Sequence, residues 1–596
     1  MNALTPEQTE AEKKRNGSAH GVARWAPGVG HLLSYQRPWL RYDLVAGIVL
    51  AAILVPQGLA YAELAGLPTV TGLYTTIACL VAYAIMGPSR VLVLGPDSSV
   101  SPLIFAAIVP LVAGGDPATA IALAGMLALM VGAIEIGLGL GKLGFVADLL
   151  SKEVQVGYMN GLAITIVVGQ LPKLFGFSTD ADGFIPEVKA FFTGLDQTSA
   201  ATLVLGLVVL AVLLALPRLT RKIPAVLVAV VGAIVVSAVF DLSTHGVKTI
   251  GSLPEGLPVP GFPWTKASDL IPLAGAAIGI VLVSLTDTIA TSTSFAARRG
   301  DEVDANQEMI GVGTANMAAG FFQGFAISVS GSRTAVAEQS GAKSQVTGLV
   351  GAGVVIILLV FLPSLLKDLP QAALAAVVIS AAISLTDFGV LGRYWKVRRT
   401  SLILSLVGTI GVILFGVLYG ILIAVGLSIL LFFRRSWWPH GEVLGYEADR
   451  GQWHSVDHYP QAVEELPGIV VYRWEAPLFF ANSGIFRQEI RRLVRTREPQ
   501  WIILQCEAVT DVDVTAAGML RALDLELNGK DVHLAFVELR SRLQDLVLRY
   551  GLLEALDRDH FYPSIKEALE SIQGGPSALL QEDIPFGARP QEQSWD

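Results

Sequence analysis

Residues 326–341 read AISVSGSRTAVAEQSG, a polar run set inside an otherwise apolar half of the chain. Its arginine, Arg333, has no evident purpose there unless something anionic meets it. An ionisable side chain at membrane depth costs roughly 2.5–3.5 kcal/mol on insertion scales and marks a transport pathway or a buried pair. Composition says that the surroundings are membrane. Of 596 residues 53% are apolar and 16% charged, far from a soluble profile, so the expected class is an α-helical polytopic membrane protein. Residues 1–40, with Glu10, Glu12, Lys13, Lys14 and Arg15, lack the apolar core of a cleavable signal and read as a cytoplasmic tail.

A helix needs about 20 mostly apolar residues to span a bilayer. Working outward from Arg333, such runs recur from Leu44 to Phe433, broken by a polar stretch at 241–269 that reads as an extracellular linker. The first half, 41–240, offers spans near 44–66, 70–87, 117–141, 153–173, 198–217 and 223–240, with a short segment from Ser98 to about Leu111. The second, 270–436, offers 270–296, 304–322, 344–363, 370–386, 401–417 and 417–433, with a short segment at 331–340. Fourteen transmembrane segments in two sets of seven imply that the second copy is inserted upside down, a 7+7 inverted repeat. Both short segments come third, preceded by GPSRVLVLGPDSS and GFAISVSGS; paired interrupted segments in matching positions point to a transporter's binding site. With the N-terminus inside, Arg90, Lys142, Lys152, Arg218 to Lys222, Arg298, Arg299, Lys343, Arg393 to Arg399, Arg434 and Arg435 all fall on the cytoplasmic side.

After Trp437, Trp438 and Pro439 the composition becomes that of a small α/β domain, 440–574. GIVVYRWEA, PLFFANSG, WIILQCEAV and VHLAFV read as strands, IFRQEIRRLVRT and AAGMLRALDLELNG as helices, which predicts a sheet covered by helices. A tail at 575–596 is expected to be disordered.

Each short segment begins near the bilayer midplane, leaving backbone N–H groups unpaired at a helix end that carries about half a positive charge. Two such ends facing one another attract an anion, with the hydroxyls of Ser98, Ser99, Ser330 and Ser332 adding donors. Arg333 either deepens this well or pairs structurally with a carboxylate or carbonyls. In PQGLAYAELAGLP, Pro56 predicts a helix break that turns Gln57 and Tyr61, four apart, toward the site; the alternative is interhelical hydrogen bonding. In VLVSLTDTIATSTSF, Asp287 at mid-span is protonated, paired with Arg333 or coordinating a cation, with Thr291 one turn on. GVGTANMAAG (311–320) reads as close helix packing, Glu135 as interfacial and Glu63 as lying at the outer mouth. Two cysteines, Cys79 and Cys506, make no bridge, the eight histidines lie outside the apolar runs, and a net charge of −9 indicates no nucleic-acid partner.

The stretch PQGLAYAELAGLPTVTGLY resembles the sulfate permease (SulP) family, and the likeness continues through GPDSSVS, TDTIATSTSFAARRGDEVDANQEMIGVGTANMAAGFFQGF and SVSGSRTAVAEQSGAKSQVTG, covering about 35–575. It implies core and gate bundles, a cytoplasmic STAS domain, a homodimer in the cell membrane and transport rather than enzymatic activity. Carried over by motif, the anion site takes Gln57, Tyr61, Asp97, Ser98, Ser99, Val100, Ser330, Gly331, Ser332 and Arg333. The coupling Na⁺ or H⁺ takes Asp287, Thr291 and Ser328, with no other cofactor. The acidic Asp97 departs from some members, and it repels a dianion unless protonated or turned away. The STAS domain is similar to anti-sigma-factor antagonists, but Val514 follows Asp513 where their phosphorylated hydroxyl stands; dimerisation or a cytoplasmic partner is the role that remains. The reading is a secondary active transporter of a small inorganic oxyanion, sulfate or bicarbonate. An uncoupled exchanger or channel, a dicarboxylate transporter and a membrane sensor stand as alternatives.

Overall fold

The apolar runs fold as helices. The structure, a computed structural model, describes residues 26–574 apart from 113–114, 146–150, 180–182, 221–223, 255, 449 and 557. The expected tail at 575–596 and most of that at 1–40 lie outside the described residues. In chain order come α1 (Pro27–Leu33), α2 (Leu40–Leu64), α3 (Val70–Met86), strand β1 (Leu94–Gly95), α4 (Ser101–Ile108), α5 (Pro117–Leu140) and α6 (Lys152–Phe175). Next are α7 (Phe184–Thr193), α8 (Ala200–Leu219), α9 (Ala225–Val239), α10 (Leu270–Ala297), α11 (Ala305–Phe321), strand β2 (Ser328–Val329) and α12 (Gly331–Gln339). The set ends with α13 (Val346–Phe361), α14 (Gln371–Leu385), α15 (Phe388–Val397), α16 (Arg399–Phe415) and α17 (Val417–Trp437). Two short helices, α7 and α15, were not expected from the hydropathy. The helices α4 and α12, of eight and nine residues, rise about 12–14 Å and cannot cross a hydrocarbon layer of about 30 Å.

Packing divides these helices into two bundles and shows the repeat. In the first bundle α2 packs on α13 as α10 packs on α5; α11 packs on α5 as α3 packs on α13; α2 meets α12 as α10 meets α4; and α3 meets α11. In the second, α6 packs on α16 as α14 packs on α8, and α6 meets α14. Each of these contacts between non-equivalent helices has its counterpart with the halves exchanged, as a two-fold axis in the membrane plane requires. Each half gives its first four segments to one bundle, the core, and its next ones to the other, the gate; α2 touches α14 and α9 across the divide.

The break predicted at Pro56 is absent: α2 runs unbroken with Pro56 inside it. A freed carbonyl in a spanning helix is tolerated where neighbouring helices support it, and here α3 lies backbone to backbone just beyond the proline. A Cβ on Gly72 would stand 1.9 Å from the Gly58 carbonyl oxygen. The GVGTANMAAG motif does pack closely, since a Cβ on Gly132 of α5 would fall 2.5 Å from the carbonyl of Gly313 in α11.

The C-terminal unit, from Leu430 on, carries a six-stranded sheet. Its strands are β3 (Gly441–Glu447), β4 (Gln452–Ser455), β5 (Ile469–Trp474), β6 (Trp501–Gln505), β7 (His533–Val537) and β8 (Phe561–Tyr562), in the order β4-β3-β5-β6-β7-β8. From β5 to β8 the pairing is parallel. Alternate residues face opposite layers: Val470, Tyr472, Ile502, Leu504 and Phe536 pack under α18 (Ser483–Arg497) and α19 (Val514–Asn528), whereas Val471, Ile503 and Ala535 join Ile565 and Ala568. PLFFANSG is not the predicted strand. The Asn482 side chain accepts from the Phe479 N–H at 3.0 Å and donates to the Pro477 carbonyl at 2.8 Å, turning the chain into α18, as asparagine side chains do when they offer the backbone a local alternative to the ladder. The hairpin of β3 and β4 was not foreseen.

Candidate functional site

The short strands set the site. β1 pairs antiparallel with β2, Leu94 opposite Val329 and Gly95 opposite Ser328, so the chains leading into α4 and α12 run side by side before the two helices part. The Ser330 N–H donates to the Val93 carbonyl at 3.1 Å, and Val93 N–H to Thr334 Oγ1 at 3.1 Å. Upstream, Phe325 N–H donates to Thr75 Oγ1 (3.1 Å) and Ile327 N–H to Asn316 Oδ1 (2.8 Å), clamping the approach to β2.

Ser330 caps α12, its Oγ accepting from the Arg333 N–H at 3.5 Å and lying 3.2 Å from Ser332 Oγ. Arg333 is 1% exposed. Its Nη2 donates to Asp97 Oδ2 at 3.4 Å and to the Gly95 carbonyl at 3.5 Å, long bonds both, while Nε and Nη1 are buried with no acceptor among the described residues. The two readings of Arg333 therefore combine: one edge of the guanidinium is held by Asp97, and the other edge has donors to offer. Asp97 is not turned away, but its Oδ1 accepts from Ser99 N–H and Oγ at 3.0 and 2.8 Å, building the turn into α4. Ser98, Ser99 and Val100 are buried. Tyr61 is buried beside Ser98, within electrostatic reach of Asp97 and Arg333.

Asp287 does not pair with Arg333. Its Oδ1 accepts from Gln155 Nε2 of α6 at 3.4 Å, and Ser99 and Asp97 are its other polar neighbours. Thr291 stands against the head of α12: a Cβ on Gly331 would lie 3.7 Å from its Oγ1. Ser328 is fully buried, its hydroxyl without a partner. Gln57 is only half-buried and its side chain makes no hydrogen bond to another described residue, and Ser332 is exposed. The structure thus gathers Tyr61, Asp97 to Val100, Asp287, Thr291, Ser328 and Ser330 to Arg333 around one point, while no contact ties the Gln57 side chain to it among the described residues.

Sequence reasoning missed Gln155 and Tyr158, three apart on α6. Tyr158 is fully buried, its hydroxyl unpaired among the described residues, facing Asp287 and Asp97. The available signal was the polar pair in KEVQVGYMNG, at the head of an otherwise apolar span. Glu135 was misplaced: it is not interfacial but fully buried, accepting from Asn316 Nδ2 at 2.8 Å. Because Asn316 also takes the Ile327 N–H, Glu135 orients the amide that clamps the approach to α12. Glu63 pairs with Lys173 at 2.9 Å, joining the ends of α2 and α6.

Two half-helices from opposed repeats, meeting at a buried arginine with spare donors, define a membrane transporter for anions and not an enzyme. Comparison with known proteins makes the assignment specific. Residues 40–408 match the sulfate permease family and residues 460–568 the STAS domain. The chain is 41% identical over 92% of its length to a probable sulfate transporter of Mycobacterium tuberculosis, covering 98% of that protein. It is 30% identical to probable sulfate transporter 3.3 of Arabidopsis thaliana, covering 93% of this chain and 91% of the other. Among solved structures, the murine solute carrier 26 family member A9 anion transporter in its inward-facing state superposes with a TM-score of 0.84 at 25% identity, over 93% of this chain and 95% of that one. The transmembrane domain of a cyanobacterial bicarbonate transporter shares the fold, with a TM-score of 0.58 at 23% identity over 66% and 98% of the two chains. The chain belongs to the sulfate permease family.

Proposed function

We propose that the protein is a secondary active transporter of a small inorganic oxyanion, sulfate before bicarbonate, driven by Na⁺ or H⁺ taken up at Asp287. The observation that carries this is a charge imbalance: one buried arginine, Arg333, is gathered with two carboxylates, Asp97 and Asp287. With both ionised, the side chains at the site sum to one negative charge, and a dianion is repelled despite the two helix ends. At an effective dielectric of 20, unit charges 5 Å apart interact by about 3 kcal/mol, so placing one cation on Asp287 offsets most of that repulsion. Anion and cation then bind together or not at all, which is the logic of symport.

The core would carry the pair past the gate, exposing it alternately to either side. The distribution of basic residues favours a cytoplasmic N-terminus and STAS domain, and the family resemblance favours a homodimer. Radiolabelled sulfate and bicarbonate uptake into proteoliposomes, with imposed Na⁺ or pH gradients, tests the reading: accumulation above equilibrium under one gradient supports it, and flux that only equilibrates, as through a channel or uncoupled exchanger, refutes it. Asp287→Asn should abolish gradient-driven uptake while leaving anion binding detectable.

A further inference from the structure

Helix α6 is built into the gate. The Thr409 hydroxyl of α16 donates to the Gly157 carbonyl at 2.9 Å, a Cβ on Gly157 would lie 2.3 Å from the Ser405 carbonyl, and Asn160 Oδ1 accepts from the Asp387 N–H at 3.2 Å. Asp287 is built into the core, on a helix packed against α4, α5 and β2. The Gln155–Asp287 hydrogen bond therefore crosses between the bundles, linking residues 132 positions apart. Tyr158, one turn along the same face of α6, brings a fully buried hydroxyl with no partner toward the same carboxylate. The charged and titratable groups facing Asp287 are Asp97, itself held by Arg333 and Ser99, and Tyr158.

We propose that Gln155 and Tyr158 form the gate's half of the coupling site: Gln155 donates to Asp287 in this conformation, Tyr158 stands beside the same carboxylate with a free donor, and together they take the place of the coupling ion and promote its release. The proposal rests on the transport reading above. An ionised carboxylate only accepts hydrogen bonds, and the Gln155 carboxamide N–H and the Tyr158 hydroxyl are donors. A proton or Na⁺ on Asp287 competes with them for the same oxygen lone pairs. When the core slides, α10 carries Asp287 away from α6, the donors are withdrawn, and the carboxylate regains its affinity for the ion. Affinity for the coupling ion thereby alternates with conformation, and the difference is set by hydrogen bonds made in one state and absent in the other.

These are positioning residues, acting through Asp287, and the test reads ion dependence rather than rate alone. Sulfate binding to purified full-length protein would be titrated against Na⁺ and against pH, for wild type, Gln155→Ala, Gln155→Asn and Tyr158→Phe. Removing the Gln155 donor removes a competitor, so the half-saturating Na⁺ concentration should fall up to about tenfold, or the pH midpoint rise by up to about one unit, as expected for loss of one hydrogen bond to a charged group; Tyr158→Phe, which breaks no bond to Asp287 in this conformation, should shift the same way by less. Sulfate affinity at saturating cation should stay within about twofold. Variants with the ion dependence of wild type overturn the inference while leaving the transport reading intact. Wild-type binding that depends on neither ion overturns both. Should Gln155→Ala fail to fold, Gln155→Asn, whose shorter side chain withdraws the amide from Asp287, decides by the same shift.

Discussion

Replacing Asp97 by Asn probes the charge imbalance directly. The Asp97 carboxylate touches Arg333 through one long contact of 3.4 Å, and its other oxygen organises the Ser99 turn. Asparagine keeps an oxygen for Ser99 and turns its amide toward Arg333, where donor faces donor, so the turn survives while Nη2 is released toward whatever anion arrives. Because Arg333 is 1% exposed and Asp97 is its carboxylate partner, losing that charge should also lower stability by about 3 kcal/mol. The electrostatic gain falls on binding: a unit negative charge about 6 Å from another contributes about 3 kcal/mol of repulsion at an effective dielectric of 20, twice that for a dianion before screening. Taking a cautious half of the single-charge figure, sulfate should bind at least about tenfold more tightly, since 1.4 kcal/mol is a factor of ten. The binding should also need less cation, because Arg333 and Asp287 then balance. Equilibrium binding of radiolabelled sulfate to the purified protein, across a Na⁺ and pH series, measures both. A folded Asp97→Asn protein that binds sulfate no better than wild type, with an unchanged need for cation, would refute the assignment of Asp97 as part of the negative excess.

Other consequences follow from single contacts. A Cβ on Gly95 would stand 2.9 Å from Arg333 Nη1, and Gly95 has a φ of +159° that side-chain-bearing residues rarely adopt, so Gly95→Ala should displace the guanidinium, cut sulfate uptake at least about tenfold and lower the melting temperature as well. Asn316→Ala strands the buried Glu135 carboxylate and the Ile327 N–H together, and should destabilise the protein by about 2–5 kcal/mol, read as a large fall in thermal stability with uptake lost as well. In the STAS domain, Arg491 and Arg487 hold the Glu526 carboxyl at about 2, below its ordinary range. Because the folded value is depressed, this clamp stabilises fully above about pH 5 and is lost as pH falls toward 2. At a site so open to solvent it is worth about 1 kcal/mol or less, and hydrogen exchange in α18 and α19 should quicken over that pH window in wild type but not in Glu526→Gln.

What the sequence disclosed and withheld follows from the range of the forces involved. The spans and the two truncated segments were legible because apolarity and its interruption are local, and the inverted repeat because counting to seven twice needs no structure. Asp97, Asp287 and Arg333 were legible as charges out of place. Their pairing was not: Arg333 had two carboxylates to choose from, and only the register of β1 on β2 brings Asp97 within reach of it. Gln155 and Tyr158 escaped because neutral polar residues near a helix end are unremarkable until a helix from the other bundle places a carboxylate opposite. Glu135 was misread for the reverse reason, since its position in α5 suggests a surface until α11 covers it. Pro56 was given its intrinsic effect, a break, although the close contact of Gly58 with Gly72 supports the helix through it.

The backbone of the site is symmetric and its side chains are not. Both halves present a helix N-terminus, a positive partial charge that nothing in the sequence can switch off. Onto this constant field the first half places Asp97 with Ser98 and Ser99, and the second places Arg333 with Ser330, together with Asp287 from its own first helix. The helix ends alone would hold an anion at all times, which is useless to a carrier that must let go. Under the proposed symport, setting two carboxylates against one guanidinium makes occupancy conditional, because the field would attract an anion only once a cation has cancelled the excess. On that proposal release needs no separate machinery: whatever weakens a cation's hold on Asp287 would turn the same site repulsive.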